Sequence, residues 1–577
     1  MPSPQLSAFA LAAVEIPSAI AVFTAAALLR GMATESPMRR GAADNPKPQG
    51  AAAPSTPAAG TNGDRLVIVM VGLPARGKTY IARKIARYLE FFKGAPSAVF
   101  NAGDYRRKTM GTDVASSSGP SHDFFDQANT SNMQKRHLFA QAALDDLKTW
   151  MGQSSAYDVG SSNAVGRVGV FDATNTTRKR RRWILRELLK EKIVESKSHI
   201  LFVENICDNP GLIDENIRST KLRNPDYQGW DGDRAVADFK SRIAHYEELY
   251  QPIASEEGAD PRASPRGEIA ASASAELDYA SGGGADGEHV RKRARTAGGG
   301  GASAQGSRSR AGSSCDSWEI ETENELSYIK LINSEQVVLN RINGYLQTVV
   351  VQFTMNLHTI PRPIYMSRHG QSEYNLLKKI GGDSSLTMLG QEYAHALAKW
   401  CDEKLLPTSP HARLWTSSLK RTKETAAHIR HDAVVEPQGV WVTMRPRQWN
   451  ALDELHAGIF DGMTYAEIEA ESPDEFQLRR ENKLSYRYPR GESYLDVIQR
   501  LEPIVQELER LKDPVLIVAH QGILRILYAY FQGMSRERSP YLSVPLHAIK
   551  TIHPHAYGLD EEDEHLLQTK ISDVPSH

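Results

Sequence analysis

Continuous apolar runs alternate with amphipathic stretches between Arg65 and Ile253. The first apolar run, RLVIVMVG, begins at Arg65 and ends in a glycine. Such a run is typical of a strand buried on both faces of a parallel sheet. Val168–Thr174 and Ser198–Asn205 have the same character, and amphipathic stretches such as IARKIARYLEF separate the runs. The alternation predicts an α/β domain with a mostly parallel sheet and helices on both faces.

A second α/β pattern follows the turn at Ile360–Pro363, with strand-like runs at PIYMS, Ala412–Ser418 and Pro514–Gly522. Residues 255–317 interrupt the first pattern, and they contain too few apolar residues to form a core of their own. Ser327–Leu357 then reads as a strand, a helix and another strand. We expect this part to rejoin the first domain, which makes residues 255–317 a disordered insertion.

Residues 1–63 read as a disordered or targeting N-terminal extension, in which residues 33–63 are rich in Ala, Pro, Gly and Ser and are expected to be disordered. Within this extension, Leu6–Leu29 has the length of a membrane span, but Glu15 and Pro17 interrupt it. A disordered Ala-rich tail, an anchor or targeting segment, and translation assigned from too early a start all remain open. At the other end, residues 559–577 form an acidic tail that we expect to fray.

Composition narrows the choice of partners. The chain has 577 residues and a formal net charge of −1, which gives no overall reason to expect nucleic acid. Its three cysteines are far apart and form no CxxC pair, so a disulfide framework is not expected and a reducing, cytoplasmic compartment fits. No metal-binding spacing such as HExxH occurs.

A phosphate-binding motif follows the first strand. The segment from Gly72 to Thr79 reads GLPARGKT and fits GxxxxGK[ST], between a buried strand and a helix. Its backbone N–H groups can surround phosphate oxygens, and the N-terminus of the next helix favours anions. Lys78 would reach the β- and γ-phosphates of a nucleotide, and Thr79 would hold Mg²⁺.

Asp172 stands at the end of the strand VGVFD. A carboxylate there can hold the metal or accept the proton of an attacking hydroxyl, although it can also cap the next helix. Cations for a phosphorylated acceptor are available at Arg106, Arg136, Arg180 and Arg242, with Lys221 nearer the nucleotide.

The second pattern carries a histidine suited to phosphoryl transfer. Arg368, His369 and Gly370 follow PIYMS and resemble the RHG signature of the histidine phosphatase (phosphoglycerate-mutase-like) superfamily. A neutral imidazole at a strand end can attack phosphorus and form phosphohistidine, and fixed cations stabilise the developing charge. The other pieces of such a site are present in the expected order, namely Arg421 in LKRT, the candidate acid Glu454 in LDELHAG, and His520 in VAHQG.

The two halves together resemble the bifunctional 6-phosphofructo-2-kinase/fructose-2,6-bisphosphatase family. The likeness covers roughly residues 64–254 and 318–558, and it rests on GLPARGKTY, FDATNTTR, NPDY, IYMSRHGQSEYNLLKKIGGDSSLT, WTSSLKRT, MTYAEIE, YRYPRGESYLDVIQRLEP, HQGILR and SVPLHAI. It implies a P-loop kinase domain at 64–360 followed by a histidine phosphatase domain at 361–558. It also implies a cytosolic homodimer held through the kinase half, with fructose 6-phosphate, fructose 2,6-bisphosphate and ATP as ligands. We expect ATP with Mg²⁺ in the kinase half and no cofactor in the phosphatase half.

The resemblance assigns roles in the kinase half. Asp172 matches the active-site aspartate, and Cys207 matches a cysteine near that site, although phosphoryl transfer does not require a covalent nucleophile. The residues implied for the nucleotide are Gly72, Leu73, Pro74, Ala75, Arg76, Gly77, Lys78, Thr79, Tyr80, Asn216 and Lys221. Those implied for fructose 6-phosphate are Arg106, Arg136, Thr174, Arg180, Lys221, Arg242 and Tyr246.

In the phosphatase half the resemblance makes His369 the phosphorylated residue and Glu454 the proton donor. It places His520 in the phosphate pocket with Arg368 and Arg421. Family members that lack an arginine at the Arg421 position tend to be weak phosphatases, so its presence implies that both activities are retained. The residues implied for the bisphosphorylated sugar are Asn375, Gly381, Tyr465, Arg479, Lys483, Tyr494, Gln521 and Arg525.

The sequence departs from the family pattern in three places. LDELHAGIFDG keeps Glu454 but places His456 and Asp461 near it, which leaves the pKa of Glu454 in doubt. The segment Gly152–Arg167 is longer than is typical, and the insertion 255–317 is not part of the animal-enzyme pattern.

The insertion contains candidate regulatory sites. Basic residues precede Ser313 and Thr296, as basophilic protein kinases prefer, although a solvated charge run or a nuclear signal would look similar.

Two other functions compete with the bifunctional sugar-phosphate enzyme. One is a fused polynucleotide-end kinase–phosphatase, suggested by the basic run RKRRR at 178–182; the other is a non-catalytic sugar-phosphate sensor. The first would need a basic groove with stacking aromatic residues, and the second would have lost its catalytic residues.

Overall fold

A computed structural model describes residues 65–110, 122–126, 129–153, 166–194, 196–218, 227, 230–254, 322–437, 439–555 and 558–567. The N-terminal extension, the insertion 255–317 with its candidate phosphorylation sites, Lys221 and the end of the chain lie outside these residues. Among the helices of the described part, none is both long and apolar enough to cross a membrane.

The first domain is built on a six-stranded sheet. Its strands are β1 (Leu66–Val71), β2 (Ser97–Asn101), β3 (Val168–Asp172), β4 (Ile200–Ile206), β5 (Ser327–Ile332) and β6 (Gln336–Asn340). They lie in the order β2-β3-β1-β4-β5-β6, and only β6 is antiparallel to its neighbour. The long apolar runs therefore form buried parallel strands, as the sequence predicts.

Helices cover both faces of this sheet. They are α1 (Lys78–Lys93), α2 (Ala102–Met110), α3 (Thr130–Gly152), α4 (Arg178–Lys190), α5 (Pro210–Asn216), α6 (Gly232–Glu247) and α7 (Gly344–Thr354). Successive residues of β1 point to opposite faces. Ile68 packs in the cluster that contains α1 and α7 residues, and Val69 packs in the cluster that contains α3 and α4 residues. This confirms the predicted α/β class.

The order of elements after the insertion differs from our prediction. We expected a strand, a helix and a strand over Ser327–Leu357, but the structure has two strands, β5 and β6, followed by α7. Residues Asn333 to Glu335 form a tight connection, and Asn333 and Ser334 both have positive φ. That short turn was hidden because Asn, Ser and Glu also suit a helix start. β5 pairs in parallel with β4, so this segment extends the first sheet.

The second domain has a mixed six-stranded sheet in the order β11-β8-β12-β7-β13-β14. These strands are β7 (Ile364–Arg368), β8 (Arg413–Thr416), β11 (Pro446–Gln448), β12 (Val515–Ala519), β13 (Ala548–His555) and β14 (Gly558–His565); β9 (Ala433–Glu436) and β10 (Gly439–Val442) form a separate hairpin. The helices are α8 (Glu373–Leu376), α9 (Met388–Trp400), α10 (Leu406–Thr408), α11 (Lys420–Ala426), α12 (Tyr465–Glu471), α13 (Pro473–Glu481), α14 (Tyr494–Arg510) and α15 (Gln521–Gln532).

The prediction that the acidic segment after Gly558 frays is wrong for its first part. Gly558–His565 forms β14, which pairs with β13 along eight residues. Its acidic side chains have partners, since Glu564 accepts a hydrogen bond from Trp400 and Glu561 accepts one from Tyr528. A run of acidic residues on an edge strand looks like a solvated tail in the sequence, because only the partners of these residues reveal the strand.

Candidate active sites

The P-loop connects β1 to α1 and is shaped for close contact between backbones. Gly72 has φ +133°, and a Cβ there would lie 2.5 Å from the carbonyl oxygen of Asn205. Ala75 and Gly77 also have positive φ. α1 begins at Lys78 without a side-chain cap, so its first N–H groups point into the loop, as an anion site requires. Lys78 Nζ donates to the carbonyl oxygen of Leu73 at 2.5 Å, which curls the lysine over the loop.

Asp172 ends β3 and lies beside the P-loop. The side-chain amide of Asn101, at the end of β2, donates to Asp172 Oδ2 and lies 3.4 Å from Thr79 Oγ1. Thr177, not Asp172, caps α4, so the structure does not support a capping role for Asp172. One donor therefore links a carboxylate and a hydroxyl, and these hard oxygen ligands suit Mg²⁺.

The expected acceptor cations gather around Phe125. Arg136 donates to the carbonyl oxygen of Phe125 at 2.9 Å, and the Arg242 guanidinium lies 3.6 Å from the Phe125 ring centroid. The Arg106 guanidinium lies 5.6 Å from the same centroid, and the Tyr246 ring lies 6.1 Å from it. Four residues from three helices thus converge on Phe125, three on its ring and Arg136 on its backbone carbonyl.

Arg180 lies near Tyr246, and Thr174 lies against the P-loop. Burial lowers the pKa of Arg180 to about 10, and the guanidinium lies close enough to Tyr246 to interact with it electrostatically. The carbonyl oxygen of Thr174 accepts a hydrogen bond from Gly72 N at 2.9 Å, which places Thr174 against the P-loop. On the other side, Asn216 donates to the carbonyl oxygen of Ala75 at 3.3 Å. Cys207 follows β4 and is only partly buried.

The sequence reading missed Asn101, Phe125 and Asn205 in the kinase half. Asn101 and Asn205 each stand at or near the end of a parallel strand, where ligands bind in open α/β sheets, so their position was a usable signal. Phe125 lies in a short 3₁₀ helix, and nothing in its local sequence marks it.

His369 occupies the second site, directly after β7, and is buried. Its backbone N–H donates to the carbonyl oxygen of Ala519 at 3.0 Å. Its Nδ1 lies 2.8 Å from the carbonyl oxygen of Gly370, which can only accept, so Nδ1 carries the proton and Nε2 keeps its lone pair. Burial, followed by Arg421 and Arg368, holds the pKa of His369 well below its usual value. The ring is therefore neutral and nucleophilic at neutral pH.

Arg421 and His520 face His369. The two histidine rings lie 5.1 Å apart between centroids, and Arg421 Nε donates to His520 Nδ1 at 3.2 Å. Arg421 also donates to the carbonyl oxygen of Gly382 at 2.7 Å, and Arg368 donates to that of Val544 at 2.9 Å. Backbone carbonyls thus fix two guanidinium groups beside the candidate nucleophile.

Glu454 approaches from the segment between β11 and α12. Its Oε2 accepts from the backbone N–H of Gly522 at 3.3 Å, and a Cβ on Gly522 would lie 2.5 Å from its Oε1. Glycine is thus required at Gly522 for the carboxylate to reach the start of α15. His456 and Asp461, the two departures from the family pattern near Glu454, pair with each other at 3.2 Å.

A polar wall continues from these groups towards α13 and α14. Arg479 donates to the hydroxyl oxygens of Tyr488 and Tyr465, both at 2.8 Å. Burial, followed by the charges of Arg479 and Arg525, lowers the pKa of Lys483 to about 7. Arg525 also bonds to the Tyr494 hydroxyl, so four of the expected sugar-site residues (Arg479, Lys483, Tyr494 and Arg525) interact with one another.

Three other expected residues are Asn375, Gly381 and Gln521. Asn375 accepts a hydrogen bond from the backbone N–H of Ser372 at 3.0 Å in the capping box of α8. Gly381 lies against Asp461, since a Cβ there would overlap its carboxylate, and Gln521 is the first residue of α15, next to His520. The sequence reading missed Ser417, Asp453, Tyr488 and His547, because each belongs to the layer behind the groups that the motifs mark.

Two family models match the chain. The 6-phosphofructo-2-kinase model matches residues 55–263, and the histidine phosphatase superfamily (branch 1) model matches residues 364–562. The chain is 37% identical to 6-phosphofructo-2-kinase/fructose-2,6-bisphosphatase of Aquarana catesbeiana over 87% of its own length and 84% of that protein. It is 36% identical to human 6-phosphofructo-2-kinase/fructose-2,6-bisphosphatase 1, again over 87% of its own length and 84% of the relative.

Solved structures match about a third of the chain. A putative alpha-ribazole-5'-P phosphatase from Escherichia coli is 20% identical, with a TM-score of 0.30, over 35% of this chain and 94% of its own. A mycobacterial glucosyl-3-phosphoglycerate phosphatase is 27% identical, with a TM-score of 0.28, over 35% of this chain and 97% of its own. Neither likeness bears on the assignment, because the TM-scores are low.

Fold and sites together define a P-loop kinase domain joined to a histidine phosphatase domain. The extent and identity of the matches then fix the family within this class. The chain belongs to the bifunctional 6-phosphofructo-2-kinase/fructose-2,6-bisphosphatase family, so it is a kinase and a phosphatase in one polypeptide.

Proposed function

We propose that this chain forms fructose 2,6-bisphosphate from fructose 6-phosphate and ATP at the P-loop, and hydrolyses it at His369. The two opposed reactions would set the concentration of one regulatory sugar phosphate and thereby the balance between glycolysis and gluconeogenesis. The separated sites support the proposal, because the P-loop and His369 follow different strands of different sheets.

In the kinase half, the P-loop backbone and Lys78 bind the phosphates of ATP. The arginines around Phe125 hold the 6-phosphate of the acceptor, and their charges compensate the dianion. Asp172 accepts the proton as the C2 hydroxyl oxygen attacks the γ-phosphorus and ADP leaves. Thr79 and Asp172 are the residues that would hold Mg²⁺, and the ion would supply charge neutralisation on the nucleotide phosphates.

In the phosphatase half, His369 Nε2 attacks the 2-phosphoryl group while Arg368 and Arg421 stabilise the charge on its oxygens. The P–O bond to C2 breaks, and Glu454 gives a proton to the leaving oxygen. Water then attacks the phosphohistidine, Glu454 takes a proton from it, and inorganic phosphate leaves. The wall formed by Arg479, Lys483 and Arg525 holds the 6-phosphate and the sugar, so the substrate is oriented with its 2-phosphate towards His369.

The main observation in support of the proposed phosphatase reaction is the protonation state of the His369 ring. Its Nδ1–H is committed to the carbonyl oxygen of Gly370, and two buried arginines face the ring. A structural histidine needs neither arrangement.

Trapping the intermediate tests this half. We expect wild-type protein mixed with fructose 2,6-bisphosphate labelled at the 2-phosphate, and quenched within one turnover, to carry acid-labile label that His369→Ala lacks. Label on His369→Ala, or hydrolysis by that variant at the wild-type rate, would contradict the assignment.

Three further proposals rest on the family and on the described surface. The first is that the chain is a cytosolic homodimer that associates through its kinase half. The edge strand β6 supports this interface, because Val338 and Leu339 are more than two-fifths exposed. Sedimentation of Leu339→Lys against wild type tests this. The kinase domain spans 64–360 and the phosphatase domain begins at 361. A protein kinase modifies the insertion 255–317, which intact-mass measurement on protein from its native cells can test.

A further inference from the structure

Behind His520 lies a chain of hydrogen bonds in which no role has been assigned to Ser417 or Asp453. His520 Nε2 lies 2.8 Å from Ser417 Oγ, and Ser417 Oγ lies 2.7 Å from Asp453 Oδ1. His520 and Ser417 are fully buried. On the opposite side of the ring, Arg421 Nε lies 3.2 Å from His520 Nδ1. The four residues therefore form one continuous chain from Asp453 to Arg421.

The number of available protons fixes which group donates and which accepts in each hydrogen bond between Asp453 and Arg421. Asp453 receives the hydroxyl of Ser417 and both the backbone N–H and the hydroxyl of Ser418, so it acts only as an acceptor. Ser417 has one hydroxyl proton, which goes to Asp453, and its oxygen also accepts from the backbone N–H of Leu419 at 3.1 Å. His520 Nε2 must then donate to Ser417.

The other ring nitrogen is determined in the same way. Arg421 Nε–H can only donate, so His520 Nδ1 must present its lone pair. His520 is therefore held as the neutral Nε2–H tautomer. The direction of its pKa shift agrees, since burial, followed by Arg421, His369 and Arg368, moves the pKa well below its usual value.

The backbone around Asp453 keeps this chain in place. Arg500 donates to the carbonyl oxygens of Asp453 at 2.7 Å and Glu454 at 3.3 Å, and it pairs with Glu492. Asp453 precedes Glu454 directly. The segment that Arg500 holds in place thus contains Glu454, the candidate proton donor, and Asp453, the acceptor at the end of the hydrogen-bond chain.

We propose that Ser417 and Asp453 are positioning residues for the phosphatase reaction. They hold His520 as the Nε2–H tautomer, and His520 in turn fixes the Nε edge of Arg421 so that the rest of the guanidinium faces the phosphoryl group. The other tautomer would turn an N–H of His520 against the Nε–H of Arg421 and push the guanidinium away. This inference rests on the proposed role of the His369 site.

Kinetics on the full chain test the proposal with a control that shares the same carboxylate. Ser417→Ala and Asp453→Ala should lower kcat for fructose 2,6-bisphosphate hydrolysis by about tenfold to a hundredfold, as loss of a supporting hydrogen bond does in other sites. Ser418→Ala removes a bond to Asp453 without touching His520, so its kcat should stay near wild type. Asp453→Asn should recover most of the loss, because its amide oxygen can still accept from Ser417.

The tautomer can be observed without any activity. In the full chain labelled with ¹⁵N at histidine, the spectrum of wild type minus that of His520→Gln should show a protonated Nε2 and an unprotonated Nδ1. Ser417→Ala should weaken that pattern, whereas Ser418→Ala should keep it. Kinase activity of each variant reports whether the kinase domain is folded, and the thermal midpoint of the phosphatase domain reports whether the domain that carries the substitution is folded.

The possible failures are distinguishable. Hydrolysis at the wild-type rate by His369→Ala would overturn the proposed function itself. If His369→Ala is inactive but Ser417→Ala and Asp453→Ala behave like Ser418→Ala, the positioning proposal is wrong. If Ser417→Ala does not fold, the wild-type spectrum decides, and an Nδ1–H form of His520 would overturn the proposal.

Discussion

At the scale of single residues, Lys483 gives the phosphatase half a pH dependence. Its pKa of about 7, lowered by burial and by Arg479 and Arg525, means that it is charged below that pH and neutral above it. A neutral lysine attracts a phosphate less, so kcat/KM for fructose 2,6-bisphosphate should fall as pH rises through 7, by up to about tenfold per unit. Lys483→Arg stays charged and should flatten this decline.

The arginine variant also serves as the control, because ionisation of the substrate phosphates affects both proteins equally. Identical pH profiles of kcat/KM between pH 6 and 9 would show that Lys483 does not bind the bisphosphate.

The residues that the sequence could predict are those whose chemistry follows a strand end. Lys78, Asp172, His369 and His520 stand in motifs, and the topology brings strand ends to one edge of each sheet. Ser417 and Asp453 could not be predicted, because a serine and an aspartate gain meaning only when their protons can be counted against real neighbours. Asn101 stands at a strand end and could have been predicted in the same way as Asp172, whereas Phe125 lies in a short 3₁₀ helix that no local signal marks.

At the scale of elements, β14 is required for the second sheet. A stop codon in place of Leu559 removes the strand, exposes β13 as a new edge and leaves Lys550 without Asp563, its partner at 2.7 Å. The thermal midpoint of the phosphatase domain should fall, by about 2–4 °C for each kcal/mol lost. Differential scanning calorimetry measures this.

A stop codon after Leu567 keeps β14 entire and is the matched control. If both truncations melt at the temperature of the full chain, β14 contributes nothing to the fold.

Strands with a continuous apolar run could be predicted from the sequence, whereas short strands with mostly polar, exposed side chains could not. β1 and β12 are apolar throughout, and β3 and β4 begin with apolar runs before their polar ends, which is typical of buried strands. β6 and β14 are edge strands with mostly exposed side chains, so neither has the period that marks a half-buried strand. For this reason the predicted order of elements after the insertion is wrong, and the sequence predicts a frayed tail where the structure has β14.

At the scale of the whole molecule, a buried ion pair links the two domains. Lys84 on α1 bonds to Glu509 on α14 at 2.6 Å, and both side chains are at most 4% exposed. Tyr530 on α15 also donates to Glu509, at 3.1 Å. Since α1 starts at the P-loop and α15 starts beside His520, the helices that begin at the two sites meet at this pair.

Removing one member of this pair should be costly. Lys84→Met removes the cation that bonds to the buried Glu509 and leaves Arg362 as its remaining nearby charge, so it should lower the free energy of unfolding by about 3–5 kcal/mol. Lys84→Met/Glu509→Leu should recover most of that loss, because an apolar pair of similar volume needs no counter-charge. Chemical denaturation followed by fluorescence measures both.

Lys93→Met is the control at the same interface. Lys93 pairs with Glu502 at 2.7 Å, but both are partly exposed, so its loss should cost about 1 kcal/mol or less. Equal effects of Lys84→Met and Lys93→Met would show that burial of the pair does not matter.

The sequence predicted two domains but not how they join. Lys84 lies on an amphipathic helix, where a lysine normally indicates the solvent side. Only the packing of α1 against α14 and α15 shows that this face is covered.

Whether one chain both makes and destroys fructose 2,6-bisphosphate is tested by how much of it accumulates from fructose 6-phosphate and Mg·ATP. We expect wild type to reach a steady level, His369→Ala to exceed it, and Asp172→Asn to form none while still hydrolysing added product. Equal accumulation by wild type and His369→Ala, or undiminished synthesis by Asp172→Asn, would contradict the proposed function.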